Sequence, residues 1–453
     1  MRKGICVLRF PGLLRQGDRI GVTSPSAGVD EREAERIEFC IAWLRGAGYD
    51  VVVGECMDGT GITSGPAESR AAELTAMLCD PAIRCVIPPW GGETAIDLMD
   101  RLGWDALAQA DPTWLVGFSD LSTILLPITT RLGWATVHGD NLADTPYRTP
   151  EGLLGWLEIV SGTGPHRQRE SGLVAGWWRM AEDPRATVWK RAGEGQWSLH
   201  GADSVRVTGR LIGGCVDTLC NLAGTPYGDV AAFGRQYADD GLIVYLEAAG
   251  DEAATICRNI HGLRLAGWFD HATVVLVGRT NAPDNPKLTQ REAVLDALAP
   301  LDLPVIFDLE IGHVPPHMPL VNGALAHRQR RDTTDHPGVP LGALAVRPSA
   351  GARPRHARHR VRGLTATVTT LGNPVLNPHM RHPLISRALI WWQIDLSRRY
   401  GFRSVWCQGL SGLMSSGGRC PAASGGPRPR AVQDDQAVRS SHRSPSVSQR
   451  EEP

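Results

Sequence analysis

The chain has 453 residues, 42% of them hydrophobic, enough for two domains with cores of their own. Its formal net charge of -1 is unevenly spread: residues 327–453 carry 20 Arg, no Lys and 7 acidic residues, a net of +13, which leaves residues 1–326 near -14 and excludes nucleic acid as the main partner of that body. The ten cysteines show no C-x-x-C pair and no zinc spacing, which suits a reducing cytoplasm, and the absence of any apolar run near ~18 residues excludes a membrane span.

Arg2, Lys3, Arg9 and Arg15 interrupt the first apolar patch, so it does not read as a signal peptide or anchor. From residue 17 to 135, strand and helix signals alternate. RIGVTSP (19–25) is a strand closing on a Ser-Pro turn. Residues 31–46 form a helix with Ile37, Cys40, Ile41 and Leu44 on one face, ending at Gly48. Strands follow at 49–54, 84–89 and 113–117, with helices at 67–79 and 94–102 between them. This alternation predicts a mostly parallel sheet covered by helices. Ligands of such sheets bind beyond the carboxyl ends of strands, where Gly91-Gly92 and Ser119 both fall.

Residues 150–205 are rich in Gly, Arg and Trp and read as a linker and a long loop; loops of that length are commonly lids or binding loops. Residues 206–326 resume the α/β pattern. Strands are predicted at 242–247, 273–278 and 305–309, with helices near 215–223, 251–265 and 288–298. The fold class is therefore α/β: an N-terminal parallel-sheet domain at 15–150, a linker and Trp-rich loop at 151–205, and a C-terminal swivelling, barrel-like α/β domain at 206–326. Residues 327–453 are Arg- and Pro-rich without periodicity and are expected to be disordered or non-native. Only 384–410 offers an amphipathic segment there.

Three reactive side chains stand at strand ends. LVGFSDLSTILLPI (115–128) lifts Ser119 onto a strand-to-helix corner, where helix amides lie ready for an oxyanion. Such a serine is more often a plain N-cap. GLIVYLEAAGDE (241–252) puts Glu247 where a strand leaves the sheet, and PVIFDLEIGHVPPHMPLVNGALA (304–326) puts His313 just past another. Serine hydroxyl is a poor nucleophile unless a His takes its proton, and that His needs a carboxylate to orient it.

With those segments in view, the sequence resembles the LD-carboxypeptidase family of serine peptidases, and within it the microcin C immunity branch. The resemblance covers about residues 15–326. It rests on GDRIGVTSPSAGV (17–29), PPWGGETA (88–95), LVGFSDLS (115–122), HGDN (138–141), GRLIGGCVDTL (209–219), IVYLE (243–247) and FDLEIGHVPPHMPLVNGA (307–324). It implies Ser119 as nucleophile, His313 as general base and acid, and Glu247 as its orienting carboxylate. It also implies oxyanion donors from the Asp120 amide and from Gly91 or Gly92. No cofactor and no metal is implied. The expected partner is a small peptide or peptidyl-nucleotide substrate, in a cytoplasmic homodimer. The segment 170–200 resembles the loop that stacks an aromatic ring on a nucleotide in the immunity branch, with Trp189 and Trp197 as candidates. Cys215 stands where the carboxypeptidase branch tends to have Asn. Two other readings compete: an α/β-hydrolase-like esterase, against which the turn lacks the second Gly of G-x-S-x-G, and a catalytically silent peptide- or nucleotide-binding module.

Overall fold

A computed structural model of the chain describes residues 7–177, 182–328 and 344–347. All of them belong to one compact unit within residues 1–357. The first half runs β1 (Arg19–Val22), α1 (Ala34–Gly46), β2 (Asp50–Val53), α2 (Ala67–Cys79), β3 (Ile83–Val86), α3 (Trp104–Gln109), β4 (Trp114–Gly117), α4 (Ser122–Leu132) and β5 (Thr136–His138). A middle segment holds α5 (Trp156–Ser161), β6 (His166–Gln168), β7 (Leu173–Gly176), β8 (Lys190–Glu194) and β9 (Ser198–His200). The second half runs β10 (Val207–Cys215), α6 (Val216–Leu219), α7 (Val230–Tyr237), β11 (Leu242–Glu247), α8 (Ala253–Leu265), β12 (Ala272–Gly278), α9 (Gln290–Leu298), β13 (Val305–Leu309), β14 (Leu320–Asn322), β15 (Leu325–Arg328) and β16 (Leu344–Arg347).

Two sheets organise these elements. The first has the order β14-β5-β4-β3-β1-β2, with β1 to β5 parallel. Its inner strands β1, β3, β4 and β5 are short, mostly apolar runs that are largely buried, as parallel strands between helices must be, while the edge strand β2 is partly exposed. β14 joins from the second half and pairs antiparallel with β5, Leu320 against His138. The second sheet has the order β6-β16-β15-β10-β11-β12-β13-β9, parallel from β10 to β13 and antiparallel outside them. No helix among the described residues is long and apolar enough to cross a membrane.

The structure differs from the sequence reading in four places. The helix expected at 94–102 is a single 3₁₀ turn, Ala95–Leu98, whose first amide is held by the Asp120 carboxylate, and α3 begins only at Trp104. α7 lies in a stretch where no helix is expected, and Asp229 caps it by accepting the Ala232 amide. The segment 151–205 is no plain loop: it supplies α5 and four short strands, and β6 and β9 form the two edges of the second sheet. Strands of three residues carry no alternation long enough to detect; they exist because a neighbouring edge pairs with them. Pairing also continues past residue 326, since β15 reaches Arg328 and β16 lies between β15 and β6. The segment 384–410 lies outside the described residues.

One buried network fixes the middle segment. Glu310 is fully buried, one residue beyond β13. It accepts the Ser171 amide at 2.9 Å, the Ser171 hydroxyl at 2.9 Å, the Trp197 indole N–H at 2.6 Å and the Arg279 guanidinium at 3.0 Å. Arg279 in turn donates to the Leu173 carbonyl at 2.6 Å. Removing one partner of a buried ion pair leaves the other charge uncompensated, at a cost of about 3–5 kcal/mol. Glu310→Ala should lose that much in urea denaturation, with Glu310→Gln losing less because its amide oxygen still accepts. A Glu310→Ala protein within about 1 kcal/mol of the parent would show that the network does not hold the segment.

Candidate active site

Ser119 sits where β4 turns into α4. Phe118 is still extended, and its amide donates to Asn141 Oδ1 at 3.2 Å. Ser119 then adopts φ 66° and opens a 3₁₀ turn, Ser119–Leu121, that runs into α4. A left-handed non-glycine residue costs about 1–3 kcal/mol and persists only where its surroundings over-determine it. Asp120 supplies that determination. Its buried carboxylate accepts the Ser26 hydroxyl at 2.6 Å and the Ala95 amide at 2.8 Å. The corner is thereby tied to the loops after β1 and after Gly91-Gly92.

His313 and Glu247 reach the same point from the second sheet. Glu247 ends β11 and His313 follows β13. Gly312, between Ile311 and His313, has φ 85°, and a Cβ there would strike the Glu247 carboxylate. Only glycine lets the chain turn so close to that charge. The three expected residues form one hydrogen-bonded chain. Ser119 Oγ lies 2.9 Å from His313 Nε2, and His313 Nδ1 lies 2.8 Å from Glu247 Oε2. A carboxylate only accepts, so Nδ1 carries the proton and the neutral ring leaves Nε2 free to accept from the serine hydroxyl.

Burial alone would raise the Glu247 carboxyl, but the imidazoles of His313 and His138 outweigh it and hold Glu247 well below the usual carboxylate range. His138 Nε2 lies 3.7 Å from Glu247 Oε1, within ion-pair range. Burial also pushes His313 down, yet the charge and hydrogen bond of Glu247 win and raise it above the ordinary histidine value. Asp217 raises it further and His317 opposes.

Of the two glycines, Gly91 abuts the serine. A Cβ on Gly91 would lie 2.9 Å from Ser119 Cβ and 3.0 Å from the Asp120 amide nitrogen. That amide is in the first turn of a helix, where intrahelical bonding leaves it free. Gly92 instead packs against Ser26 and Ala27 and lines the cleft. The cleft in front of Ser119 and His313 has a volume of ≈ 480 Å³.

Neither expected tryptophan lines that cleft. Trp197 is a core residue, 4% exposed, with its N–H bonded to Glu310. It offers no ring face to a ligand, which corrects the expectation. Trp189 stacks on Tyr147 with ring centres 4.0 Å apart, and Trp177 donates to Asp144 Oδ1 at 2.7 Å. The Trp-rich segment thus packs on the loop after β5.

Several residues around the site were not assigned from sequence. His138, Asp140 and Asn141 come from the HGDN segment, and His317 follows His313 by four residues. His317 Nδ1 pairs with Asp140 Oδ1, and the Phe118 ring lies 5.0 Å from the His313 ring and 4.6 Å from that of His317. Burial pushes Asp144 up to about 6; His317 opposes and Asp140 adds. The signal was a polar cluster directly after a buried strand, which carries no role of its own without the partners that tertiary structure supplies. Among the described residues, three groups have donor atoms close enough for a metal ion, within 4.8 Å of one another: Cys215 with Glu247 and His313, Asp140 with Asp144 and His317, and Cys257 with His261 and Asp296.

Comparison with known proteins agrees with this architecture. The LD-carboxypeptidase N-terminal domain matches residues 20–139 and the LD-carboxypeptidase C-terminal domain matches residues 208–327. The chain belongs to the LD-carboxypeptidase family. It is 30% identical over 309 residues to SCO6489 of Streptomyces coelicolor, covering 67% of this chain and 87% of that one. It is 26% identical over 299 residues to the murein tetrapeptide carboxypeptidase of Pseudomonas aeruginosa, covering 65% and 88%. The microcin C7 self-immunity protein MccF of Escherichia coli is 25% identical over 325 residues, covering 68% and 90%. A solved structure of MccF with aspartyl sulfamoyl adenosine shares the fold, with a TM-score of 0.62 at 21% identity over 75% of this chain and 98% of that one. Family membership makes the α/β two-sheet fold and carboxypeptidase-type chemistry the setting in which the site geometry is read.

The balance at His313 is open to direct measurement. Its imidazole should titrate above 6.5 by NMR in the parent protein. In Glu247→Gln the charge is gone and burial remains, so the titration should fall below 6.5. An unchanged titration would mean that Glu247 does not set the state of His313.

Proposed function

We propose that this member of the family is a serine peptidase or amidase in which Ser119 is the nucleophile, His313 the general base and acid, and Glu247 the carboxylate that orients and stabilises it. The observation that carries this reading is the pair of hydrogen bonds, 2.9 Å and 2.8 Å, from Ser119 through His313 to Glu247. Esterases and silent binding modules have no comparable support, because the family relatives are peptidases or an immunity protein.

His313 Nε2 takes the Ser119 proton as Oγ attacks the carbonyl carbon. The carbonyl electron pair moves to oxygen, and the oxyanion forms beside the Asp120 amide and the Gly91-Gly92 backbone. The imidazolium, stabilised by Glu247, then protonates the amide nitrogen, and the C–N bond breaks. Water loses a proton to His313, attacks the acyl-enzyme, and Ser119 leaves as the alcohol. The strained corner at Ser119 keeps Oγ presented without a cost at each turnover.

The amide is either the one before a terminal D-amino acid in a murein-type LD-peptide or an aminoacyl–nucleotide amide of a peptide-nucleotide antibiotic. The first follows the tetrapeptide carboxypeptidase relative. The second follows MccF, seen with aspartyl sulfamoyl adenosine.

Ser119→Ala should lower kcat by at least about 1,000-fold with little change in substrate affinity. A fluorophosphonate should label the parent and not the variant. Because the base must be neutral, kcat/KM should fall as pH drops through a value above 6.5. Turnover by Ser119→Ala near the parental rate would end this reading.

A Cβ on Gly91 would crowd Ser119 and the Asp120 amide together, so Gly91→Ala tests the oxyanion site. Loss of one oxyanion donor costs about 100- to 1,000-fold, and a folded Gly91→Ala protein should lose activity on that scale. Full activity in a folded variant would make the Gly pair a turn and nothing more.

A further inference from the structure

Two helices that cover the second sheet bring a thiol, an imidazole and a carboxylate to one point. α8 turns Ile256, Ile260 and Leu263 into the core, which leaves Cys257 and His261, one turn apart, on a neighbouring face. α9 buries Ala293, Val294, Ala297 and Leu298 and leaves Asp296 exposed. Cys257 Sγ lies 3.4 Å from Asp296 Oδ2, and His261 Nε2 lies 3.3 Å from the same oxygen. All three donor atoms fall within 4.8 Å of one another. None of the three residues lines the cleft in front of Ser119. Cys257 and His261 alone carry no zinc signature in the sequence, because the third donor arrives from another helix.

These separations are those of a metal-ligand set. A tetrahedral zinc ion with ligand bonds of about 2.0–2.3 Å holds its ligand atoms about 3.3–3.6 Å apart. Sulfur with imidazole nitrogen favours zinc-class ions over magnesium or calcium, which prefer oxygen. A separate feature also calls for a cation. Asp296 sits in the last turn of α9, at the negative end of the helix dipole, and that turn has no basic residue. Among the described residues its ion-pair partner is His261, which is charged only when protonated. The other two donor groups are already engaged. Cys215, Glu247 and His313 include two of the three residues of the Ser119 hydrogen-bond chain, while Asp140 is paired with His317 and Asp144 accepts the Trp177 indole.

We propose that Cys257, His261 and Asp296 form a divalent-metal site of the zinc class, with water as fourth ligand, that staples α8 to α9. His261 and Asp296 are 35% and 66% exposed, so the fourth position opens to solvent. Near their N-terminal ends the helices are already tied, since Gln290 Nε2 donates to the Asp251 carbonyl at 2.9 Å. The ion fastens the pair further along. Two rearrangements accompany binding. Burial and Asp296 hold the Cys257 thiol above its ordinary value, so the ion displaces that proton to solvent as Sγ binds. Arg264 lies 3.4 Å from His261 Nδ1 and can only donate; it must withdraw while the Nε2 hydrogen passes through water to Nδ1. The site is independent of the serine-peptidase reading.

The test uses full-length protein stripped with EDTA, exchanged into EDTA-free buffer and titrated with zinc by calorimetry and with cobalt by absorbance. One equivalent should bind with a Kd at or below about 10 µM, weaker than a closed four-ligand centre because one position is left to water. Bound cobalt should show a thiolate-to-cobalt charge-transfer band together with the d–d bands of tetrahedral cobalt. Cys257→Ser should abolish the charge-transfer band, and His261→Ala and Asp296→Asn should each weaken zinc by at least about tenfold. Zinc should raise the Tm of the parent and leave that of Cys257→Ser unmoved. The parental cobalt spectrum is decisive whether or not every variant folds. No charge-transfer band in the parent, a band retained in Cys257→Ser, or zinc affinity unchanged in both His261→Ala and Asp296→Asn would overturn the proposal.

Discussion

The buried carboxylate of Glu247 is the constraint on which the molecule turns. It is 1% exposed, at the end of a central strand, and ionised. An isolated charge in such a place costs several kcal/mol, so it must be matched. The match comes from both sheets. His313 follows β13 of the second sheet, while His138 closes β5 of the first. The two halves must therefore come together for Glu247 to keep its charge. The alignment with Ser119, itself at the end of β4 of the first sheet, comes with that closure. The interaction that could fire the serine is also one that fastens the domains.

The loop bearing His313 is held from both ends for the same reason. β13 anchors its start in the second sheet, and β14 anchors its end in the first, paired with β5. Between these anchors, Gly312 clears space for the Glu247 carboxylate, and Phe118 packs between the rings of His313 and His317. Cys215 adds a further tie, its amide donating to Ser122 Oγ at 3.1 Å at the start of α4. A residue three positions after the serine thus fixes the strand that pairs with β11.

What was legible in the sequence was what hydrophobic pattern and strand ends can encode. Strands such as Arg19–Val22 and Leu242–Glu247, and helices such as α2 and α8, stand within a few residues of their expected places because each carries its own apolar period. Ser119, Glu247 and His313 stand out as candidates because each lies at or just past the carboxyl end of a strand, Ser119 after β4 of the first sheet, Glu247 at the end of β11 and His313 after β13 of the second. β6, β9 and β16 were not readable, since three or four residues gain strand character only from the edge they join. Trp197 was misjudged for a related reason. Tryptophan in a Gly- and Arg-rich stretch reads as surface, and only the tertiary position of Glu310 shows that its N–H is satisfied inside. His138 and His317 needed distances, because nothing in HGDN or in a His-Val-Pro-Pro-His spacing states which carboxylate each will meet.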